Sequence, residues 1–484
     1  MKMLWTRYLG PIHHPAIGVR IPEIFLEGIL NSFKKNNVVG GLMLSFGRET
    51  APEFVINAPP GKYEITRGHT GTSIKKYQTL AALKAKEKEV IVEIEADHLI
   101  IIGSSDRAVQ RIAGVHLEKE ISKEELENSI NYNKRCIDEA IETGYVNSFT
   151  IDTSDLFNTA IDNLDEGQIN KLFNEKVKDK SIINNYVGRD FSFKSSSGDE
   201  LILIYNETDV KILELKFRKS LEISKIIYDY IQEKIDRPFG FEISLDETKE
   251  LTQEKELHFY LNEWTKLGCK VGFIAPNIGF KKRSDYVGDI TELKRKVEWL
   301  AAIAKKYNVL LSIHSGSGTN PYSGKGPNTY EALLEATNNS LKYKISGVYY
   351  ELLLEILEKE KTGTPARTLF ERIFDEVLKF LEEQIKRKTS LATSLLESQL
   401  RDYYNYKRET GQHYNSRANF FRYNSYLALN FRDESGERYF RNELVSLYNN
   451  DNELKSLIDK EVEELTDRLI YGLNFVNNSK LLGD

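Results

Sequence analysis

From residue 89 to residue 346 the chain alternates short apolar runs of strand type with amphipathic helical runs, and this alternation limits its folds more than any other feature. Residues 89–98 (EVIVEIEADH) are rich in β-branched side chains and have period two. Val90, Val92, Ile94 and Ala96 fall on one face, and Ile91, Glu93, Glu95 and Asp97 on the other. Further strands are read at 147–152 (NSFTID), 240–246 (GFEISLD), 270–276, 308–314 (NVLLSIH) and 342–346. Between them lie helical segments at 122–143, where Ser122 and Glu125 form a capping box, at 217–234, and at 254–267, closed by Gly268. Another runs from Asp289, its N-cap, to about Tyr307, and one more opens at Asn328. Strands joined by helices pair as parallel neighbours through crossover connections. The expected class is therefore α/β, a TIM-like (β/α)8 barrel. An open doubly wound sheet would also place ligands at the carboxyl ends of its strands, and the number of strands favours the barrel.

The flanks differ in character. Residues 1–64, punctuated by Pro11, Pro15, Pro22, Pro52, Pro59 and Pro60, read as an irregular N-terminal extension packed on the barrel. The catalytic barrel is assigned to 65–350. Residues 351–484 read as a helical C-terminal extension, with apolar residues at i, i+3, i+4 spacing in 351–361, 366–388 and 452–473. This region either covers the barrel mouth or serves as a plain stabilising cap or a contact between copies of the chain.

Composition and missing motifs remove several classes of function. Lys plus Arg total 67 against 73 for Asp plus Glu, a formal charge of −6 with no basic run, which excludes the electrostatic footprint of a nucleic-acid binder. Two cysteines, Cys136 and Cys269, cannot build a disulfide framework or a thiolate zinc cluster. The first residues lack a signal-peptide core, and the longest aliphatic run, 99–102, is far short of the ~20 residues of a membrane span. A cytoplasmic protein without a membrane partner is expected. Residues 318–326 (GTNPYSGKG) suggest a phosphate loop, but the spacing is wrong and Gly326 stands where Ser or Thr should be. With no GxGxxG after the first strand and no GxSxG elbow, no nucleotide cofactor is expected.

What remains is a set of acids and histidines where strands stop: Asp97-His98, Asp152, Asp246-Glu247 and His314. His314 leads into a Gly/Ser turn that includes Ser315, whose amides are free to face a polar ligand. Two strand-end imidazoles with a carboxylate suit one divalent ion (zinc, manganese, nickel or cobalt) and leave positions for sugar oxygens. The alternative is a pair of hydrogen-bonded structural histidines. Glu242, Ser244 and Asp246 share one face of their strand, so a barrel would turn them inward. A buried carboxylate there calls for a metal, a proton or an ion pair with Lys or Arg. His258, on a helix, is read as packing, and Asp289 as a cap. Asp285, in the loop before that cap, is free to face the site.

Five short motifs in this order resemble the tagaturonate epimerase family. They are Glu95-Ala96-Asp97-His98, Phe149-Thr150-Ile151-Asp152 with Ser154-Asp155, Phe241 to Thr248 (FEISLDET), Asp285-Tyr286 with Gly288-Asp289, and Ile313 to Ser317 (IHSGS). The clear resemblance spans about residues 145–350. It implies an isomerase that interconverts tagaturonate and fructuronate, or the neutral ketoses tagatose and fructose, by inverting the C4 hydroxyl centre. It also implies a divalent metal on His98 and His314, Asp97 as proton acceptor and Glu242 as proton donor. Substrate contacts are expected from Asp152, Asp246, Glu247, Asn277, Asp285, Ser315 and Lys344, with a third metal ligand within 277–285. A uronate also needs a cationic subsite, for which Arg67, Lys344 and Arg422 are candidates. Competing readings are a metal-dependent sugar aldolase that releases its fragments and a non-catalytic sugar-binding barrel. The only partner expected is the small sugar, with self-association left open.

Overall fold

The computed structural model describes residues 5–63, 67–102, 121–246 and 248–483. Its centre is a closed parallel barrel of eight strands: β1 (His14–Gly18), β2 (Gly40–Ser45), β3 (Val92–Ile100), β4 (Ser148–Asp152), β7 (Gly240–Ser244), β8 (Phe273–Ala275), β9 (Leu310–His314) and β10 (Leu341–Ser346). Neighbours run in the order β1-β10-β9-β8-β7-β4-β3-β2. An antiparallel hairpin, β5 (Asp190–Lys194) with β6 (Glu200–Ile204), stands outside it. The barrel strands are buried on both faces, as parallel strands covered by helices must be. In β3 the apolar face packs outward into the hydrophobic core, while Glu93 and Glu95 are buried on the other face.

The barrel begins at His14, not near residue 65. The reading of the first 60 residues as an irregular extension is corrected, because β1, the helix Pro22–Lys35 and β2 all lie there. The prolines misled because they occupy tolerated places: Pro22 opens the helix, where its missing N–H costs nothing, and Pro15 lies near the start of β1, before its pairing with β2 begins at Ala16.

Beyond β10 the chain is mostly helical, from Val348–Lys359 to Asn452–Gly472. This region clasps the start of the barrel. A Cβ on Gly28, in the helix Pro22–Lys35, would lie 2.6 Å from the Asp459 carbonyl oxygen, so only glycine lets the helix Asn452–Gly472 approach so closely. The Asn478 side chain donates to the carbonyls of His13 (3.0 Å) and Val39 (2.9 Å), pinning the chain end beneath β1 and β2. Among the described residues no helix is long and apolar enough to cross a membrane.

The barrel interior carries ionisable groups, and not all are charge-matched. Glu93 Oε2 accepts the Leu9 amide at 3.0 Å, while Oε1 is buried with no hydrogen-bond partner among the described residues. Burial raises its pKa to about 7, with Lys342 opposing and Glu95 reinforcing the shift. A carboxyl whose pKa is higher folded than unfolded stabilises the fold while protonated. That contribution is complete at low pH and lost as pH rises through about 7. Glu93→Gln keeps the neutral form, so from about pH 5 to about pH 8 it should gain on the wild type by on the order of 2–3 kcal/mol. The readout is a thermal-midpoint difference that widens with pH; a difference independent of pH contradicts the assignment.

Candidate active site

β3 delivers two adjacent side chains to one cleft through a break in its own alternation. Its register against β4 shifts between Ala96 and Leu99, and His98 between them has φ +48°, a left-handed conformation uncommon outside glycine. In a regular strand His98 would point away from Asp97. The bulge instead brings His98 Nε2 to 3.6 Å from Asp97 Oδ1 and His98 Nδ1 to 3.7 Å from Asp152 Oδ2, at the end of β4. Backbone strain of this kind is maintained only where the surrounding structure holds it, commonly at functional sites.

Opposite stands His314, at the end of β9. Its ring centroid is 5.1 Å from that of His98. Its Nε2 lies 2.6 Å from Glu242 Oε1 on β7, and its Nδ1 3.2 Å from Asp246 Oδ1. Burial alone would lower the His314 pKa, yet the Asp246 and Glu242 carboxylates win against it and against Lys344, raising it to about 10. Burial likewise opposes ionisation of Asp97, but His98, Lys344 and His314 hold its pKa below the usual carboxylate value. Glu242, also buried, is held well below that value by Lys342, Lys344 and His314.

β10 supplies the cations that bind these acids together. Lys344 Nζ lies 2.5 Å from Asp97 Oδ1, 2.5 Å from Glu95 Oε1, 2.9 Å from Thr150 Oγ1 and 3.3 Å from Glu242 Oε1. Lys342, one pleat deeper, lies 2.6 Å from Glu95 Oε2 and 3.0 Å from Glu242 Oε2. Of the roles left open for Glu242, the ion pair with lysine is therefore present, alongside contact with His314.

The fold gathers Asp97, His98, Asp152, Glu242, Asp246, His314 and Lys344 at the carboxyl rim of the barrel. Other candidates serve the loops around it. The Asn277 amide donates to the Thr248 and Glu250 carbonyls at 2.9 and 3.0 Å, shaping the turn after β7. Asp285 accepts from the Thr319 amide (2.8 Å) and the Ser323 hydroxyl (2.7 Å), tying two loops together. Ser315 donates to the Gly316 carbonyl and accepts from the Tyr343 hydroxyl. Glu247 lies outside the described residues. Arg67 stacks over the Tyr132 ring at 4.1 Å, and Arg422 is paired with Glu351. His258 packs among aromatic rings, 2.6 Å from the Tyr205 hydroxyl, and Asp289 caps its helix. Glu95, Thr150 and Lys342 were given no role from sequence, although period-two spacing from Asp97, Asp152 and Lys344 places each on the same inner face.

Among the described residues no three His, Cys, Asp or Glu side chains are already drawn together as a ready-made metal site; the acids are engaged with histidines and lysines instead. The donor chemistry does fit a divalent cation. Two imidazoles stand close together, Asp152 and Asp246 stand against them, and His98 Nδ1 is buried with no hydrogen-bond partner among the described residues. A cation binding there would displace the His314 proton and meet the same carboxylates.

A profile of the tagaturonate epimerase family matches residues 132–469, a span that includes Glu242, His314 and Lys344 but begins after β3. No curated protein sequence matches the chain. Among solved structures, the native crystal structure of the fructuronate-tagaturonate epimerase UxaE from Cohnella laeviribosi superposes with a TM-score of 0.64 and 18% identity, covering 96% of this chain and 83% of that one. The same protein complexed with one glycerol gives 0.63 and 18%, over 96% and 82%. At this identity the likeness establishes a common fold.

The lysine–carboxylate network sets a test of stability. Lys342→Met leaves Glu95 and Glu242 buried with one fewer counter-charge, and should destabilise the protein by about 3–5 kcal/mol. Denaturant unfolding reads this; an unchanged midpoint would show that the network is not electrostatically coupled.

Proposed function

Because the chain belongs to the tagaturonate epimerase family, we propose that it inverts the C4 hydroxyl centre of a keturonate or ketohexose, counted from the ketone end, by retro-aldol cleavage and re-addition. The observation that carries this reading is the contact of one ammonium, Lys344 Nζ, with both Asp97 and Glu242 beside the paired imidazoles of His98 and His314.

C4 lies β to the ketone, so its C–H is not acidified by enolisation. The C3–C4 bond can break instead. Asp97, held ionised by its neighbours, takes the proton of the C4 hydroxyl, and the C3–C4 electron pair moves into an enediolate at C2–C3. C4 becomes an aldehyde, turns over, and presents its other face to C3. The bond re-forms and the C4 oxygen regains its proton, now with inverted configuration. Lys344 steadies the enediolate charge. Glu242 lies within hydrogen-bond reach of Lys344, so a proton lent by that ammonium can pass through it to the substrate, while its contact with His314 orients the imidazole. A divalent ion on His98 and His314 would add Lewis-acid stabilisation of the enediolate.

Asp97→Asn keeps the shape of the site and removes the base. It should lower epimerisation of fructuronate and fructose by ~10²–10⁴-fold while elemental analysis finds the metal content of the wild type. Near-normal turnover would reject Asp97 as the base. Treatment with EDTA should abolish activity until a divalent ion is restored; full activity after chelation would remove the metal from the mechanism.

A further inference from the structure

The loops beyond β1, β2 and β8 bring together arginines that the reaction above does not use. Arg20 follows β1, whose Ala16 pairs in register with Lys344. Arg48 follows β2, its Nε donating to the Ser45 hydroxyl at 3.1 Å, and Ser45 pairs in register with Asp97. Arg283 lies in the loop after β8, and Arg422 comes from the C-terminal helix Asn419–Asn424. Among the described residues Glu49 meets Arg20 at 2.8 Å, and Glu351 meets Arg422 at 2.8 Å and Arg283 at 3.3 Å. Burial lowers the Arg283 pKa against the pull of Glu351, and Arg20 and Arg422 push it the same way, so these cations share one neighbourhood.

Within that neighbourhood His69 and Tyr426 are 2% and 4% exposed, with ring centroids 4.4 Å apart and the Arg20 guanidinium over the Tyr426 ring. Arg20 Nη1 lies 3.1 Å from His69 Nε2. A guanidinium only donates, so Nε2 must accept and the hydrogen of the neutral imidazole sits on Nδ1. Burial, Arg20 and Arg48 all keep His69 neutral, and burial holds the Tyr426 proton in place. His69 Nδ1–H and Tyr426 O–H are thus both buried donors, and neither has a hydrogen-bond partner among the described residues. Two unpartnered buried donors beside the Arg20 guanidinium call for a ligand that only accepts.

We propose that Arg20, His69 and Tyr426 form a carboxylate subsite that holds the acid end of the sugar and selects a keturonate over a neutral ketose. The identity of the sugar rests on the epimerase reading; the demand for an anion does not. Tyr426 and Arg422 both come from the C-terminal helical region, which on this account completes the substrate site as well as buttressing the barrel.

Calorimetry on the full chain separates the two claims. Gluconate, a sugar acid without the ketone, and glucitol, its neutral counterpart, are the probes. The wild type should prefer gluconate. Tyr426→Phe, which keeps the ring and its packing, should weaken gluconate binding about tenfold. Arg20→Gln should weaken it further, with partial recovery in Arg20→Lys. In turnover, Tyr426→Phe should raise KM for fructuronate by a clearly larger factor than KM for fructose. Equal binding of gluconate and glucitol by the wild type, or wild-type gluconate affinity in both Tyr426→Phe and Arg20→Gln, would overturn the subsite. Preference for gluconate without turnover of either ketose would sink the epimerase reading and leave the subsite standing.

Discussion

The site depends on charges that the closed barrel forces into contact. Lys342 and Lys344 enter from β10, Glu95 and Asp97 from β3, and Glu242 from β7, and all five are buried. None would remain ionised there alone, since desolvating a single charge costs far more than one hydrogen bond returns. Lys344 favours the ionised form of Asp97, Lys342 and Lys344 favour that of Glu242, and these acids favour the charged lysines in return. A carboxylate and an ammonium can then stand ready at the C-terminal rim without drawing on solvent, an arrangement suited to stabilising charge that develops during a reaction.

Precision at the rim comes from one irregularity. The bulge in β3 allows consecutive residues, Asp97 and His98, to share a cleft that a regular strand would divide between two faces. A carboxylate and an imidazole are therefore set by the same short stretch of backbone, with His314 pairing with that imidazole from the far side of the barrel.

Much of this was legible in the sequence because period two exposes it. The alternation in 89–98 separated an apolar outer face from an acidic inner one, and the acids and histidines closing the later strands marked the end of the barrel where they gather. Other parts were hidden for definable reasons. β1 and β2 are short and lie among prolines that occupy permitted positions, so they read as punctuation. The bulge at His98 depends on pairing with β4, which no local pattern reveals. Asn277 and Asp285 carry side chains suited to ligand binding, but their partners are backbone groups of neighbouring loops, brought close only by tertiary folding. His69 and Tyr426 lie far apart in the chain and offer no motif; only the folded structure shows each buried with a donor that has no partner among the described residues.

Cleavage of the C3–C4 bond leaves the C4 hydrogen on its carbon throughout, whereas inversion by proton abstraction would exchange it with solvent. The most direct measurement is therefore proton NMR of fructuronate turned over by the wild-type protein in heavy water. The retro-aldol account predicts that tagaturonate accumulates with its C4 hydrogen intact. Deuterium at C4 of the product, or no tagaturonate at all, would contradict it.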